Sequence, residues 1–347
     1  MDIPCNVAIG SGTTDMHELP EELLARVRQH SHYREVDYQL LARRFGAALV
    51  AKRLALQMEV YDKVAARERH GVKRWVRPMF RRGILTSLYC SGQLGRARRL
   101  ARNPLIVERD VFFDRLPDAF DGHRILHLSD FHFDYTEELP EIVAEAIRDL
   151  AFDTCVLTGD FRGETYGPYE ESLRSLERCR EALGPEVYAV LGNHDNIEIM
   201  LRFPDMGIHG LLNEAVWLEK GGTRILLAGV DDPHYYKTHD FTPLRESVRA
   251  AEVAILLAHS PEAHRQAVEA GFDFMLSGHT HGGQICLPGG RAVIAHVKDT
   301  PREMVKGPWR AGQMQGYTST GVGTSTLDCR LNCRAEITLH VLRKPSS

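Results

Sequence analysis

Long hydrophobic runs are missing from this sequence: nowhere does it approach the roughly 20 consecutive apolar residues of a membrane-spanning helix. A surplus of charge is missing too. With 43 Lys and Arg against 47 Asp and Glu, the formal charge is -4, which gives no global reason to expect nucleic acid or another strongly anionic partner. The seven cysteines are scattered rather than grouped in a metal knuckle, and an odd count suits reduced thiols better than a secreted disulfide framework. The N-terminal residues bring acidic groups by Glu21 and Glu22 and have neither the basic start nor the apolar run of a signal peptide. These absences predict a cytoplasmic protein. Its length allows one large α/β domain plus an appendage, stable without covalent staples.

Residues 1–110 read as a helical N-terminal appendage and 111–347 as the main domain. Leu40, Leu41, Phe45, Leu49 and Leu56 recur at helical spacing and predict one long amphipathic helix. From Arg69 to Val107 there is no acidic residue, while Lys73, Arg74, Arg77, Arg81, Arg82, Arg96, Arg98, Arg99 and Arg102 alternate with Trp75, Met79, Phe80, Leu88 and Tyr89. Such interleaving suits peripheral contact with an anionic lipid surface on the inner face of the membrane, and equally a solvated face or an RNA contact.

From Arg124 onward, short apolar runs alternate with helical patterns, as in a layered α/β domain. Strands are expected at Arg124 to Leu128, Thr154 to Leu157, Val187 to Leu191, Arg224 to Val230, Val253 to Ala258, Phe272 to Leu276 and Glu336 to Leu342. Helices are expected at Pro140 to Leu150, Tyr169 to Leu183, Asn196 to Phe203 and Pro261 to Ala270.

Metal-binding residue types follow the ends of these strands, where α/β sheets build their sites. Asp130 and His132 follow the first, Asp160 the second, and Asn193, His194 and Asp195 the third; His259 and then His279 and His281 follow two later ones. One such pair alone would mean little. Five in series supply enough donors for two cations, and mixed imidazole and carboxylate ligation suits manganese, iron or zinc rather than calcium. No thiolate stands at these positions, which argues against a structural zinc site. His127, inside an apolar strand, reads as a core histidine.

The ordered motifs Asp130-Phe131-His132, Gly159-Asp160, Gly192-Asn193-His194-Asp195, His259 and Gly278-His279-Thr280-His281 resemble the calcineurin-like metallophosphoesterase superfamily, over about Arg124 to Leu342. The resemblance implies a four-layer α/β/β/α sandwich and a hydrolase with two divalent metal ions, manganese foremost. It implies that Asp130, His132, Asp160 and His281 hold one metal and Asp160, Asn193, His259 and His279 the other, with Asp160 bridging and a shared hydroxide as nucleophile. His194 then becomes the general acid or a phosphate contact. Asp195 either orients that imidazole or caps a helix from Asn196.

Arg162, just after Asp160, is a candidate phosphate contact through its bidentate fork, and His234, in Asp231-Asp232-Pro233-His234, is a candidate lining of the substrate pocket. Gly163 stands where purple acid phosphatases of this superfamily carry a tyrosine, so a ferric site is not expected. Further blocks, Leu227 to Pro233, Ser277 to Gln284 and Gly321 to Thr324 followed by Arg330 and Glu336, are similar to a bacterial phosphodiesterase branch that includes the chlamydial-type UDP-2,3-diacylglucosamine diphosphatase. The implied reaction is hydrolysis of a phosphodiester or pyrophosphate bond, UDP-2,3-diacylglucosamine in lipid A synthesis being the sharpest form. A broad soluble nucleotide phosphodiesterase is the alternative. A non-catalytic scaffold of this fold is a third reading, disfavoured because His194 and every ligand position are present.

Overall fold

The structure is a computed structural model that describes residues 18–30, 36–69, 73–292, 295, 297–298 and 300–345; side chains of residues 64–69, 73–78 and 80 are outside the description, and with them those of Lys73, Arg74, Trp75, Arg77 and Phe80. Five helices come first: α1 (Glu21–Arg28), α2 (Tyr38–Phe45), α3 (Ala47–Arg69), α4 (Lys73–Cys90) and α5 (Leu94–Arg102). The single amphipathic helix expected through Leu40 and Leu56 is instead two. Gly46, at φ 88°, breaks it between α2 and α3, a conformation that glycine adopts without a Cβ clash.

Fourteen strands follow among the described residues. They are β1 (Leu105–Phe112), β2 (Arg124–Leu128), β3 (Thr154–Leu157), β4 (Val187–Ala189), β5 (Ile208–Gly210), β6 (Glu214–Lys220), β7 (Thr223–Gly229), β8 (Ala254–Leu257), β9 (Phe274–Ser277), β10 (Cys286–Leu287), β11 (Arg291–Ala292), β12 (Gly307–Ala311), β13 (Met314–Thr318) and β14 (Glu336–Arg343). Two six-stranded sheets result, ordered β1-β14-β2-β3-β4-β5 and β12-β13-β9-β8-β7-β6, with β10 and β11 a separate ribbon. Strands β2 to β5 run parallel in the first sheet, as do β7, β8 and β9 in the second.

Period-two alternation divides the apolar side chains among three cores. Ile125, Val156, Ile225, Leu227, Ile255, Leu257, Phe274 and Leu276 share one core that draws on both sheets. Their strand neighbours face the other way: Leu126, Leu128, Cys155 and Leu157 pack with α6 (Leu139–Ile147) and α7 (Glu170–Arg180). After the short α8 (Ile199–Arg202) come α9 (Arg245–Ala250) and α10 (His264–Ala270), which cover Leu226, Ala228, Leu256 and Met275. One core thus lies between strands of both sheets, and the other two lie between a sheet and helices.

The N-terminal helices are not detached from this body. Leu24, Val27, Leu41, Val50, Leu54, Met58 and Tyr61 lie in the same core as Leu126 and Leu157. The boundary expected at 110/111 falls inside β1, which pairs in parallel with β14 from Leu105 onward, so the sheet claims residues assigned to the appendage. No described helix is long and apolar enough to cross a membrane.

Candidate metal centre

Each parallel strand delivers its polar residues where it leaves its sheet, and the backbone turns sharply there. Asp130, His132, Asp160, His279 and His281 all take positive φ, between 45° and 70°. For residues with a Cβ this region is sparsely populated and costs of order 1–3 kcal/mol each, so the surrounding structure must impose it. Glycines make the close approach possible. At Gly192 a Cβ would overlap the Asp160 carboxylate, and at Gly278 it would overlap Ser129 Oγ and Asp130 Oδ2.

The turns bring the side chains into two buried groups. Asp130, His132 and His281 offer donor atoms within 4.8 Å of one another, as do Asp160, His259 and His279. Asp160 joins the groups: its Oδ2 lies 3.2 Å from His259 Nε2 and 3.6 Å from His132 Nε2. Asn193 Oδ1 is 3.1 Å from His259 Nε2, which puts the amide in the second group. All seven expected ligands therefore converge.

Tautomers test whether the donor set fits a cation. His132 Nδ1 donates to the carbonyl of Arg162 and His259 Nδ1 to that of Thr158, both at 2.7 Å, so each ring points its Nε2 inward as the atom a cation would take in place of a proton. His132 Nε2 then faces His281 Nε2 at 3.0 Å, and His281 Nε2 lies 3.5 Å from Asp130 Oδ1. Converging lone pairs and carboxylate oxygens repel unless a positive charge sits among them. The set fits divalent cations that accept nitrogen and oxygen together.

Electrostatics agree. Burial pushes the His132 imidazole down to about 4 and the Asp130 carboxyl up to about 6. Burial also opposes charge on His259, yet the Asp160 and Asp130 carboxylates push its imidazole up to about 10. Asp160 is held well below the usual carboxylate range: burial works against its charge, and His259, His194 and His132 outweigh it. The pocket thus seeks positive charge.

His194 lies at the rim, partly exposed, with its ring perpendicular to that of His132 at 5.1 Å between centroids. Its backbone N–H donates to Asp160 Oδ1 at 2.9 Å, while its Nδ1 is buried with no hydrogen-bond partner. His234 also borders the centre. Its ring is 4.2 Å from that of His279, and Glu262 Oε2 accepts from its Nδ1 at 2.7 Å.

Two expectations change. Arg162 is buried, and its guanidinium is engaged by Asn196 Oδ1 and by the carbonyls of Tyr166 and Gly167, so it fastens a loop rather than facing a phosphate. Asp195 neither orients His194 nor caps a helix. Its carboxylate accepts the N–H groups of Asp160, Phe161 and Gly192 at 2.7 to 2.9 Å, tying two ligand loops together.

Sequence reasoning missed three supports. Glu262 holds His234. Arg330, named only within a block, is buried and donates to the carbonyls of His281, Thr320, Gly321 and Gly323, fixing the loop that ends in His281. Arg53 of α3 forms a fully buried ion pair with Asp231 at 3.2 Å and lies 3.1 Å over the Tyr236 ring. A buried arginine inside a helical pattern carries no local signal. Only the strand end at Val230, followed by two aspartates, hints at its partner.

Comparison with known proteins places this geometry. The family model described as calcineurin-like phosphoesterase matches residues 123–283. The uncharacterized metallophosphoesterase YkoQ of Bacillus subtilis is 30% identical over 62% of this chain and 82% of its own length. Phosphodiesterase YaeI of Escherichia coli is 30% identical over 68% of this chain and 86% of its own. The uncharacterized metallophosphoesterase YkuE, also of Bacillus subtilis, is 27% identical over 78% and 97%.

Proposed function

Because this chain belongs to the calcineurin-like phosphoesterases and is a metal-dependent phosphoesterase, we propose that it hydrolyses a phosphodiester or pyrophosphate bond with two divalent cations, manganese foremost. One observation carries this reading: Asp160 stands between two donor groups, His132 on one side and His259 on the other. When bound, a pair of such cations supplies Lewis-acid polarisation of phosphoryl oxygens and acidified water. Asp130, His132 and His281 would hold one, and Asn193, His259 and His279 the other, with Asp160 shared.

The protein's own groups do the rest. His194, partly exposed at the rim beside His132, donates a proton to the leaving oxygen as the ester bond breaks, worth roughly 10²–10⁴ in rate. His234, held by Glu262, lines the side of the pocket nearest His279. Asp195 keeps the loops of Asp160 and Asn193 in register, so the donors need not reorganise during the reaction.

A lipid-linked pyrophosphate such as UDP-2,3-diacylglucosamine is the sharper substrate. Support comes from α4, along which Met79, Arg81, Arg82 and Tyr89 are all exposed, a composition suited to anionic headgroups. The experiment has two parts. Manganese-dependent hydrolysis of bis(4-nitrophenyl) phosphate tests the reaction, and its absence would sink it. UMP release from UDP-2,3-diacylglucosamine tests the substrate; no release, alongside rapid cleavage of soluble nucleotide diesters, would favour a broad nucleotide phosphodiesterase.

A further inference from the structure

A groove of about 640 Å³ runs between the N-terminal helices and the loop that follows β7. One wall is the α2–α3 junction, with Arg43, Phe45, Leu49 and Lys52; the other includes Lys237 and His239. Arg44 also lines it but is neutralised by Glu214 at 3.2 Å. Among the described residues Lys52 and Lys237 carry no ion pair, while Arg43 has only a loose one with Asp37 at 3.7 Å. Asp240 is the remaining acid in the lining, so positive charge prevails.

One short stretch of chain runs from the metal centre to the groove. His234, whose ring meets that of His279, is three residues before Lys237, which bounds their Cα separation at roughly 11 Å. The stretch is firmly held. Asn213 accepts the N–H groups of Asp231 and Asp240 and donates to the Thr238 carbonyl, and the buried Arg53–Asp231 pair fastens it to α3. Lys237 takes φ 51°, an unfavourable conformation for lysine that this anchoring imposes. A molecule with its reacting phosphorus among the metal ligands would reach the groove and its lysine stems by extending a further group past His234.

We propose that this groove binds a second, non-scissile phosphate of the substrate, with Lys52 and Lys237 as the charges that hold it and the N-terminal helices as the wall that makes the subsite. The inference rests on the phosphodiester reading and adds the class of substrate: diesters or pyrophosphates that carry a further phosphate near the cleaved bond. Lysine suits this role as a mobile point charge, and the apolar flank of Phe45 and Leu49 limits competition from water.

The test uses two thymidine dinucleotides, one with a 5′-phosphate and one without, as inhibitors of bis(4-nitrophenyl) phosphate hydrolysis by the metal-loaded full-length protein. The terminal phosphate is expected to lower Ki about tenfold in the unaltered protein, the effect of one favourable ion pair. In Lys52→Gln/Lys237→Gln the ratio of the two Ki values should fall to near one; because each ratio is taken within one protein, any general loss cancels. Calorimetric titration of metal-free protein with the phosphorylated dinucleotide gives a second readout, independent of turnover, and the same substitutions should weaken it. Equal Ki values in the unaltered protein, or a ratio that survives both substitutions, would overturn the proposal. Failure of bis(4-nitrophenyl) phosphate hydrolysis would instead count against the phosphodiester reading, leaving the calorimetry to decide on the groove.

Discussion

Asp195 Oδ2 accepts the backbone N–H of Asp160 at 2.7 Å and that of Gly192 at 2.8 Å, so one buried carboxylate bonds both to the residue proposed to be shared between two cations and to the loop that carries Asn193. Burial and the Asp160 charge push the Asp195 carboxyl up to about 7, while these N–H donors favour its ionised form. These contacts assign Asp195 a positioning role, exerted through the backbone of two loops.

Asp195→Asn replaces one acceptor oxygen with an N–H₂ group aimed at N–H donors. Metal affinity should drop roughly 10–100-fold, the range for losing a group that orients ligands. Calorimetric titration with manganese checks this. Unchanged affinity would mean that the loops hold their register without the carboxylate.

His194→Ala should separate binding from chemistry. Metal content stays as in the unaltered protein, while kcat for a diester with a poor leaving group falls about 10²–10⁴-fold. A 4-nitrophenolate leaving group needs little protonation and should suffer much less. Equal losses on both substrates would argue for a phosphate contact rather than a proton donor.

Gly278→Ala places a methyl where Ser129 Oγ and Asp130 Oδ2 already sit. Metal content should fall sharply while the far-ultraviolet circular dichroism remains that of a folded α/β protein. Normal metal content in this variant would show that the Asp130 loop can yield.

Acid should destabilise the fold through histidines outside the metal centre. Burial pushes His127 down to about 3, and His340, whose ring lies 5.7 Å away, is also held well below the usual imidazole range by burial. Below about 6.5 the unfolded chain takes up protons that the folded state refuses, so stability is full above that pH and declines toward the folded value. Between pH 6.5 and 5, His127 alone accounts for about 2 kcal/mol. Urea unfolding of metal-free His127→Gln should show a shallower decline than the unaltered protein, and an identical decline would refute the assignment.

The strand ends were legible because chemistry and periodicity coincide there. Ile125 to Leu128 is apolar and short, and Asp130 follows at once. The expected helix from Asn196 was less accurate, because only Ile199–Arg202 is α-helical before Pro204 starts a tighter turn. Strand β1 escaped notice because Glu108, Arg109 and Asp110 break its apolar pattern; its partner, Glu336–Arg343, is more than 200 residues away. Arg162 misled for a related reason. An arginine beside a phosphate site and one pinning a loop look alike until Asn196 and the Tyr166 carbonyl are seen to engage it. Tertiary partners decide such roles, and adjacency in sequence does not reveal them.

Metal stoichiometry tests the central claim, a shared Asp160 between two cation sites, most directly. Elemental analysis after manganese loading and gel filtration should find two ions per unaltered chain, and one or fewer in Asp160→Asn, whose amide cannot supply a bridging charge. One ion per unaltered chain, or two retained in Asp160→Asn, would contradict the account.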